Sequence, residues 1–200
     1  MIKGTASQNN EAEIVINYFG NKVGTLLSLG ENDGKTLSNS YDLIKLGWGA
    51  DLFEPVKDAF HKCVELHIDD PTVFCHNYGI HENTGKQIFY LTEDSLLASL
   101  NKDLAASWGG KFTEVELNFL SVEDMLLQSV YKKFEFITID CEGSDLAILE
   151  QLDLTKLGCE CICLEHGNSE ANYKRMKEIC NSHGLNKELL RNFENVIFAI

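Results

Sequence analysis

Five polar stretches in this chain each stand directly after an apolar run: Gly30-Glu31-Asn32-Asp33-Gly34, Glu54-Pro55, Asn77-Tyr78-Gly79, Asp140-Cys141-Glu142 and Glu165-His166. The two glycines of the first let the backbone bend sharply and approach a bound molecule closely, and the N–H groups that open a following helix favour an anionic group such as a carboxylate. Glu54 falls about 20 residues beyond Gly34, the offset at which an acidic strand end accepts hydrogen bonds from both hydroxyls of a ribose. Asp140 and His166 can each take a proton, and an imidazole is the better matched of the two to neutral pH. Gly30 and Gly34 are too far apart for the Gly-x-Gly-x-x-Gly order of a nicotinamide site.

Each of these residues also has a purely structural reading. Gly30 and Gly34 suit an ordinary tight turn, Asp140 a helix cap, and Glu142 a favourable charge in the first turn of the next helix. Asp140, Glu142 and His166 are in addition a donor set for a divalent metal, a reading that ranks below the metal-free one. His61, His67, His76, His81 and His183 show no partner in the sequence and are taken as surface or core residues.

The elements that must carry these residues alternate between strand and helix. Residues 7–19 read as an N-terminal helix stopped by Gly20, and residues 23–29 as a strand running into the glycine turn. A helix follows with Leu37, Tyr41 and Ile44 on one face, then a strand at 50–54, with Pro55 in the first position of the next helix. Residues 72–77 and 87–91 are expected to pair as an antiparallel hairpin near a sheet edge, and 92–110 reads as a mobile loop or lid. Val115, Leu117 and Phe119 mark a half-exposed strand, and Ser121 to Asp124 a capping box. Strands at 134–140, 161–165 and 195–200 alternate with helices carrying Leu146, Leu149 and Leu152, then Tyr173, Met176 and Ile179. This alternation predicts a mostly parallel α/β sheet with helices on both faces. In such a sheet ligands sit outside the carboxyl ends of the strands, where all five polar stretches fall.

Length and composition fit one globular unit spanning 1–200, with a cofactor-binding half over about 22–91 and an acceptor-side half over about 92–200. The net charge of −14 would repel a phosphate backbone, so nucleic acid is not an expected partner. No apolar run reaches the roughly 18 residues of a membrane span, and no secretory leader is visible, so the expected setting is cytoplasmic without membrane attachment. The 7 cysteines contain no Cys-x-x-Cys pair and read as buried free thiols. Homo-oligomerisation is left open.

Taken together, Leu27 to Gly34, Phe53-Glu54-Pro55, Phe136 to Gly143 and Leu164-Glu165-His166 resemble the FkbM-type methyltransferases, a class I family that uses S-adenosylmethionine. The resemblance runs from about Lys22 to the C-terminus and is most specific at Ile139-Asp140-Cys141-Glu142-Gly143. It implies a Rossmann-like, seven-stranded sheet with the turn Gly30, Glu31, Asn32, Asp33 and Gly34 near the cofactor's methionine portion. Glu54, followed by Pro55, is placed on the ribose, Asn77, Tyr78 and Gly79 near the adenine, and Asp140 and Glu142 beside the same pocket. Activity in the family is usually O-methylation, often of sugar hydroxyls, so the implied partner is a small-molecule or glycan acceptor, with Asp140 and His166 as candidate bases. Glu31 stands where the family commonly has alanine and either meets the cofactor's amino group or points to solvent. Two competing readings remain: a non-catalytic S-adenosylmethionine-binding module, and a nicotinamide-dependent oxidoreductase, which the glycine spacing disfavours.

Overall fold

The computed structural model describes residues 5–92, 99–107 and 111–200. Seven strands form one sheet: β1 (Thr25–Leu29), β2 (Gly49–Phe53), β3 (Val73–His76), β7 (Phe136–Ile139), β8 (Cys161–Glu165), β9 (Lys187–Arg191) and β10 (Asn195–Ala199). Their order is β3-β2-β1-β7-β8-β10-β9; the first five are parallel, and β10 runs antiparallel to both of its neighbours. The chain winds outward from β1 to β3 and then returns to β1's other side with β7. The winding therefore reverses between β1 and β7, and the crevice of such a sheet opens at that point.

The central strands are apolar because both faces are covered. Leu27, Leu29, Ile137, Ile139, Ile162 and Leu164 point to a core closed by helices α5 (Val122–Gln128), α6 (Asp145–Leu149) and α8 (Glu170–Ser182). The alternate residues Leu26, Phe136, Cys161 and Cys163 face helices α1 (Glu11–Phe19), α2 (Tyr41–Lys45) and α3 (Lys57–His67). A second sheet of three strands, β4 (Gly79–Ile80), β6 (Phe112–Leu120) and β5 (Gly85–Thr92), packs Phe89 and Phe119 against Val56 and Ala59 at the start of α3. The other two short helices are α4 (Lys102–Ser107) and α7 (Leu154–Leu157).

Several expectations meet their counterparts. Gly20, at φ 62°, ends α1, and Ser121 Oγ accepts from Asp124 N (3.1 Å) to cap α5. All 7 cysteines are free, five of them buried. Others need correction. Residues 72–77 and 87–91 do not form a hairpin: β3 is the edge of the main sheet beside β2, and β5 pairs antiparallel with β6 across the intervening chain. Helix α2 begins only at Tyr41, and Leu37 lies outside it at φ 58° and 41% exposed. Pro55 precedes α3 by two residues, with Val56 at the N-cap. Strand β9 is polar (Lys-Glu-Leu-Leu-Arg), and only its pairing with β10 makes it a strand. Of the stretch read as a lid, 93–98 and 108–110 lie outside the described residues.

The β1–β7 junction tolerates no side chain at position 30. A Cβ on Gly30, whose φ is +84°, would lie 1.9 Å from the backbone oxygen of Asp140. Backbone cannot swing aside as a side chain can, so Gly30→Ala is expected to cost about 3 kcal/mol or more, lowering the Tm by about 6 °C or more. A thermal melt within about 2 °C of wild type would show that the two strands part freely.

Candidate active site

At the carboxyl ends of β1, β2, β7 and β8 lie two adjoining recesses that share Gly30, Asn32, Asp140 and Glu142. The first has largely apolar walls, built from Phe53, Pro55 and Val56 together with Tyr78, Gly79, Ile80, Phe89 and Phe119. The second is a cavity of about 560 Å³ lined by polar and acidic side chains. Among the described residues, neither lining includes a lysine or an arginine.

The glycine turn is fastened to β2. Gly30 N and Glu31 N both donate to the Phe53 carbonyl (3.0 and 3.1 Å), and Asn32 N donates to Glu54 Oε2 (2.9 Å). Glu54 Oε1 accepts from Val56 N (2.7 Å), so one carboxylate spans the turn and the entry to α3. Burial pushes the Glu54 carboxyl up to about 7; the two N–H donors pull it down, and nearby Glu31 and Asp140 add to the rise. Each oxygen of an ionised carboxylate can accept more than one hydrogen bond, so Glu54 keeps capacity for a diol.

Other residues of the turn play supporting parts. Glu31 does not point to solvent: it is 4% exposed and accepts from Ser38 Oγ (2.7 Å) and Ser40 Oγ (2.6 Å). Asp33, Gly34 and Asn77 are absent from both linings. Asp33 turns outward to accept from Lys35 N and from both the N–H and hydroxyl of Thr36. Gly34 packs beneath α3, where a Cβ would meet Cys63 Sγ at 3.0 Å. The Asn77 amide donates to the carbonyls of Glu54 (2.9 Å) and Pro55 (3.0 Å), bracing the segment that carries Glu54. Because α2 starts seven residues beyond Gly34, no helix N-terminus directly follows the turn.

Asp140 opens into both recesses at the end of β7, and its N–H donates to the Leu29 carbonyl (2.9 Å). Its carboxyl is pushed up to about 6 by its surroundings and by Glu194, Glu11 and Glu31. Glu142 sits at φ 48°, uncommon for a residue with a side chain, with Ser99 Oγ donating to its carbonyl (2.8 Å). Such conformations gather at functional sites because the surrounding structure must hold them. Burial and then Glu165, Asp140, Asp145 and Glu194 push Glu142 up to about 9; burial, Asp140 and Glu194 push Glu165 up to about 8.

His166 is 2% exposed, and its Nε2 lies 3.3 Å from the Asn192 carbonyl. A carbonyl only accepts, so Nε2 carries a hydrogen, and in the neutral ring Nδ1 then presents a lone pair. That Nδ1 and Oε2 of Glu165 are buried atoms without a partner, and both residues line the acidic cavity. The sequence reading missed much of this cavity's wall: Gln8, Asn39, Asp145, Asn172, Glu194 and Asn195. Behind it, fully buried Glu11 accepts from Asn192 Nδ2 and Asn195 Nδ2 (2.9 Å each) and joins α1 to the β9–β10 turn. No group of three or more His, Cys, Asp or Glu side chains among the described residues is arranged to hold a metal ion.

The FkbM methyltransferase domain model matches residues 28–190, which span the site except Gln8 on its N-terminal side and the β9–β10 turn and β10, with Phe193, Glu194 and Asn195. The chain belongs to the FkbM methyltransferase family. It is therefore an S-adenosylmethionine-dependent methyltransferase domain. Solved structures share its fold: the METTL16 methyltransferase domain (13% identity, TM-score 0.50, covering 94% of this chain and 64% of that one), and a shortened form of the same domain (12%, 0.52, 95% and 80%). A human methyltransferase 10 domain containing protein is similar as well (11%, 0.51, 94% and 81%). The chain thus spans less than two thirds of the first of these structures. No curated protein matches the chain by sequence at a significant level. The recesses fit the family's cofactor: apolar walls for an adenine, a carboxylate at Glu54 for a ribose, a side-chain-free approach at Gly30, and carboxylates able to face a sulfonium.

The raised carboxyls give the protein an unusual pH dependence. Glu54, Asp140, Glu142 and Glu165 each bind a proton more tightly folded than unfolded, so the folded state holds more protons above the ordinary carboxylate range. Stability therefore falls as pH rises from about 5 to about 9, and the Tm without ligand is expected to drop by about 4 °C or more across that window. Scanning calorimetry of wild type beside a Glu142→Gln/Glu165→Gln variant checks this. The variant should show a flatter slope, and a flat wild-type profile would refute the assignment.

Proposed function

We propose that this methyltransferase passes the methyl group to a hydroxyl of a small molecule or sugar, with His166 as the proton acceptor and Asp140 lining the path between cofactor and acceptor. The observation that carries this reading is the buried, unpartnered Nδ1 of His166, a residue held by Asn192 that lines the cavity sharing Gly30 and Asp140 with the apolar recess. Gly30, Asn32, Glu54 and the apolar wall from Pro55 to Ile80 would hold S-adenosylmethionine, which would supply a methyl on a sulfonium with a neutral thioether as the leaving group. What the chain adds is position and a proton sink. A hydroxyl donating to Nδ1 is aligned and loses its proton to the imidazole as its oxygen becomes bonded to carbon.

A nucleic acid acceptor does not suit a cavity without lining lysine or arginine on a chain of net charge −14. The free cysteines suit a reducing compartment such as the cytosol. No described helix is long and apolar enough to cross a membrane.

Two measurements test the reading. Isothermal titration with S-adenosylhomocysteine should show binding that Glu54→Ala weakens by about tenfold or more; no heat with either cofactor form would remove the basis of the proposal. His166→Ala should leave that affinity within about twofold while slowing methyl transfer about 100-fold. An unchanged rate would remove His166 from the chemistry.

A further inference from the structure

Beyond Asp140, one part of the cavity wall comes from three strand ends. Glu142 follows β7, Glu165 and His166 end β8, and Glu194 sits in the β9–β10 turn. The whole lining carries six carboxyls (Glu31, Asp140, Glu142, Asp145, Glu165 and Glu194), one imidazole and several side-chain amides, with no lysine or arginine among the described residues, so the cavity is acidic on balance. Two of its atoms, Glu165 Oε2 and His166 Nδ1, are buried without a partner. Buried polar atoms in folded proteins nearly always have one, so two orphaned atoms on adjacent cavity-lining residues point to donors that a ligand would bring. The cofactor reading uses Gly30 and Glu54 at the other end of the site, leaving these two atoms to the acceptor.

We infer that the methyl acceptor carries a protonated amine beside the hydroxyl that is methylated, as in an amino alcohol or amino sugar. The ammonium docks between Glu165 and Glu194, with Glu142 alongside, and the hydroxyl donates to His166 Nδ1. This deepens the hydroxyl-methylation reading and rests on it. A neutral polyol would satisfy the orphaned atoms but leave the clustered carboxylates uncompensated. An anionic acceptor would add repulsion, whereas an ammonium offsets both costs. The high proton affinity of Glu142 and Glu165 in the empty cavity fits this view, since a docked cation would return both to the charged form and release protons.

In the group transfer, the acceptor's oxygen gains a bond to the methyl carbon, its O–H proton moves to Nδ1, and the carbon–sulfur bonding pair stays with sulfur. The ammonium keeps its protons and takes no part in bonding.

The test uses the whole chain saturated with S-adenosylhomocysteine, in buffer containing EDTA, titrated with matched probes. Glucosamine is compared with glucose and N-acetylglucosamine, 2-deoxystreptamine with myo-inositol, and 3-amino-1,2-propanediol with glycerol. At least one amino probe should bind about tenfold or more tightly than its neutral partner, with protons released at pH 7.5. Glu165→Gln/Glu194→Gln should abolish that preference while S-adenosylhomocysteine affinity stays within about twofold, which also reports that the variant is folded. If no amino probe outbinds its neutral partner, the inference is overturned. Neutral polyols bound and O-methylated equally well would overturn it while leaving the hydroxyl reading intact. Methyl found on nitrogen by mass spectrometry would overturn both, and absence of cofactor binding would remove the hydroxyl reading first.

Discussion

The site depends on how closely β1 and β7 approach at their carboxyl ends. Backbone of Gly30 passes Asp140 with no room for a Cβ, and the Asp140 N–H closes onto the Leu29 carbonyl. On its other side the same turn is tied by two N–H donors to Phe53 and by a third to Glu54. Three strand ends are thereby drawn together, and the side chains that follow them, Glu54 and Asp140, come to face one crevice. A side chain at position 30 would push β7 away from β1 and separate the two recesses that now share Gly30, Asn32, Asp140 and Glu142.

Around that junction the chain concentrates carboxylates at some expense to its own stability. A core buried on both faces of the sheet, from Leu27 and Ile137 on one side to Leu26 and Phe136 on the other, supplies the surplus that makes this tolerable. Glu31 shows how a buried carboxylate on the cavity wall can be braced: Ser38 and Ser40 each donate to one of its oxygens and make it an internal tie for the loop. Glu165 has no such tie on Oε2, and the difference separates a bracing carboxylate from one open to a ligand.

The central strands and the strand-end chemistry were legible because parallel strands buried on both faces are continuous apolar runs, and the polar residue ending each run stands out. Glu54, Asp140, Glu142, Glu165 and His166 were found in this way. The start of helix α2 was misplaced and strand β9 was hidden, since the helix is too short for a periodic signal to fix its first turn and the strand takes its form from β10. The pairing of β5 with β6 spans a long connection and left no local trace. Asp33, Gly34 and Asn77 were visible as turn and strand-end residues, but spacing alone does not tell a side chain that meets a ligand from one that braces its neighbour. Glu11, Glu194 and Asn195 could not be found, because their closeness arises only once the ends of the sequence are folded together.

That last contact has a consequence for how the domain matures. Glu11 is held by Asn192 and Asn195, and Gln8 lines the same cavity as Glu194. The nucleoside recess is lined by residues between Gly30 and Ser144, whereas the acceptor cavity has no rear wall until the β9–β10 hairpin is made. The two parts of the site thus draw on different lengths of chain: cofactor recognition can be assembled before β9 and β10 are in place, and selectivity for the acceptor cannot.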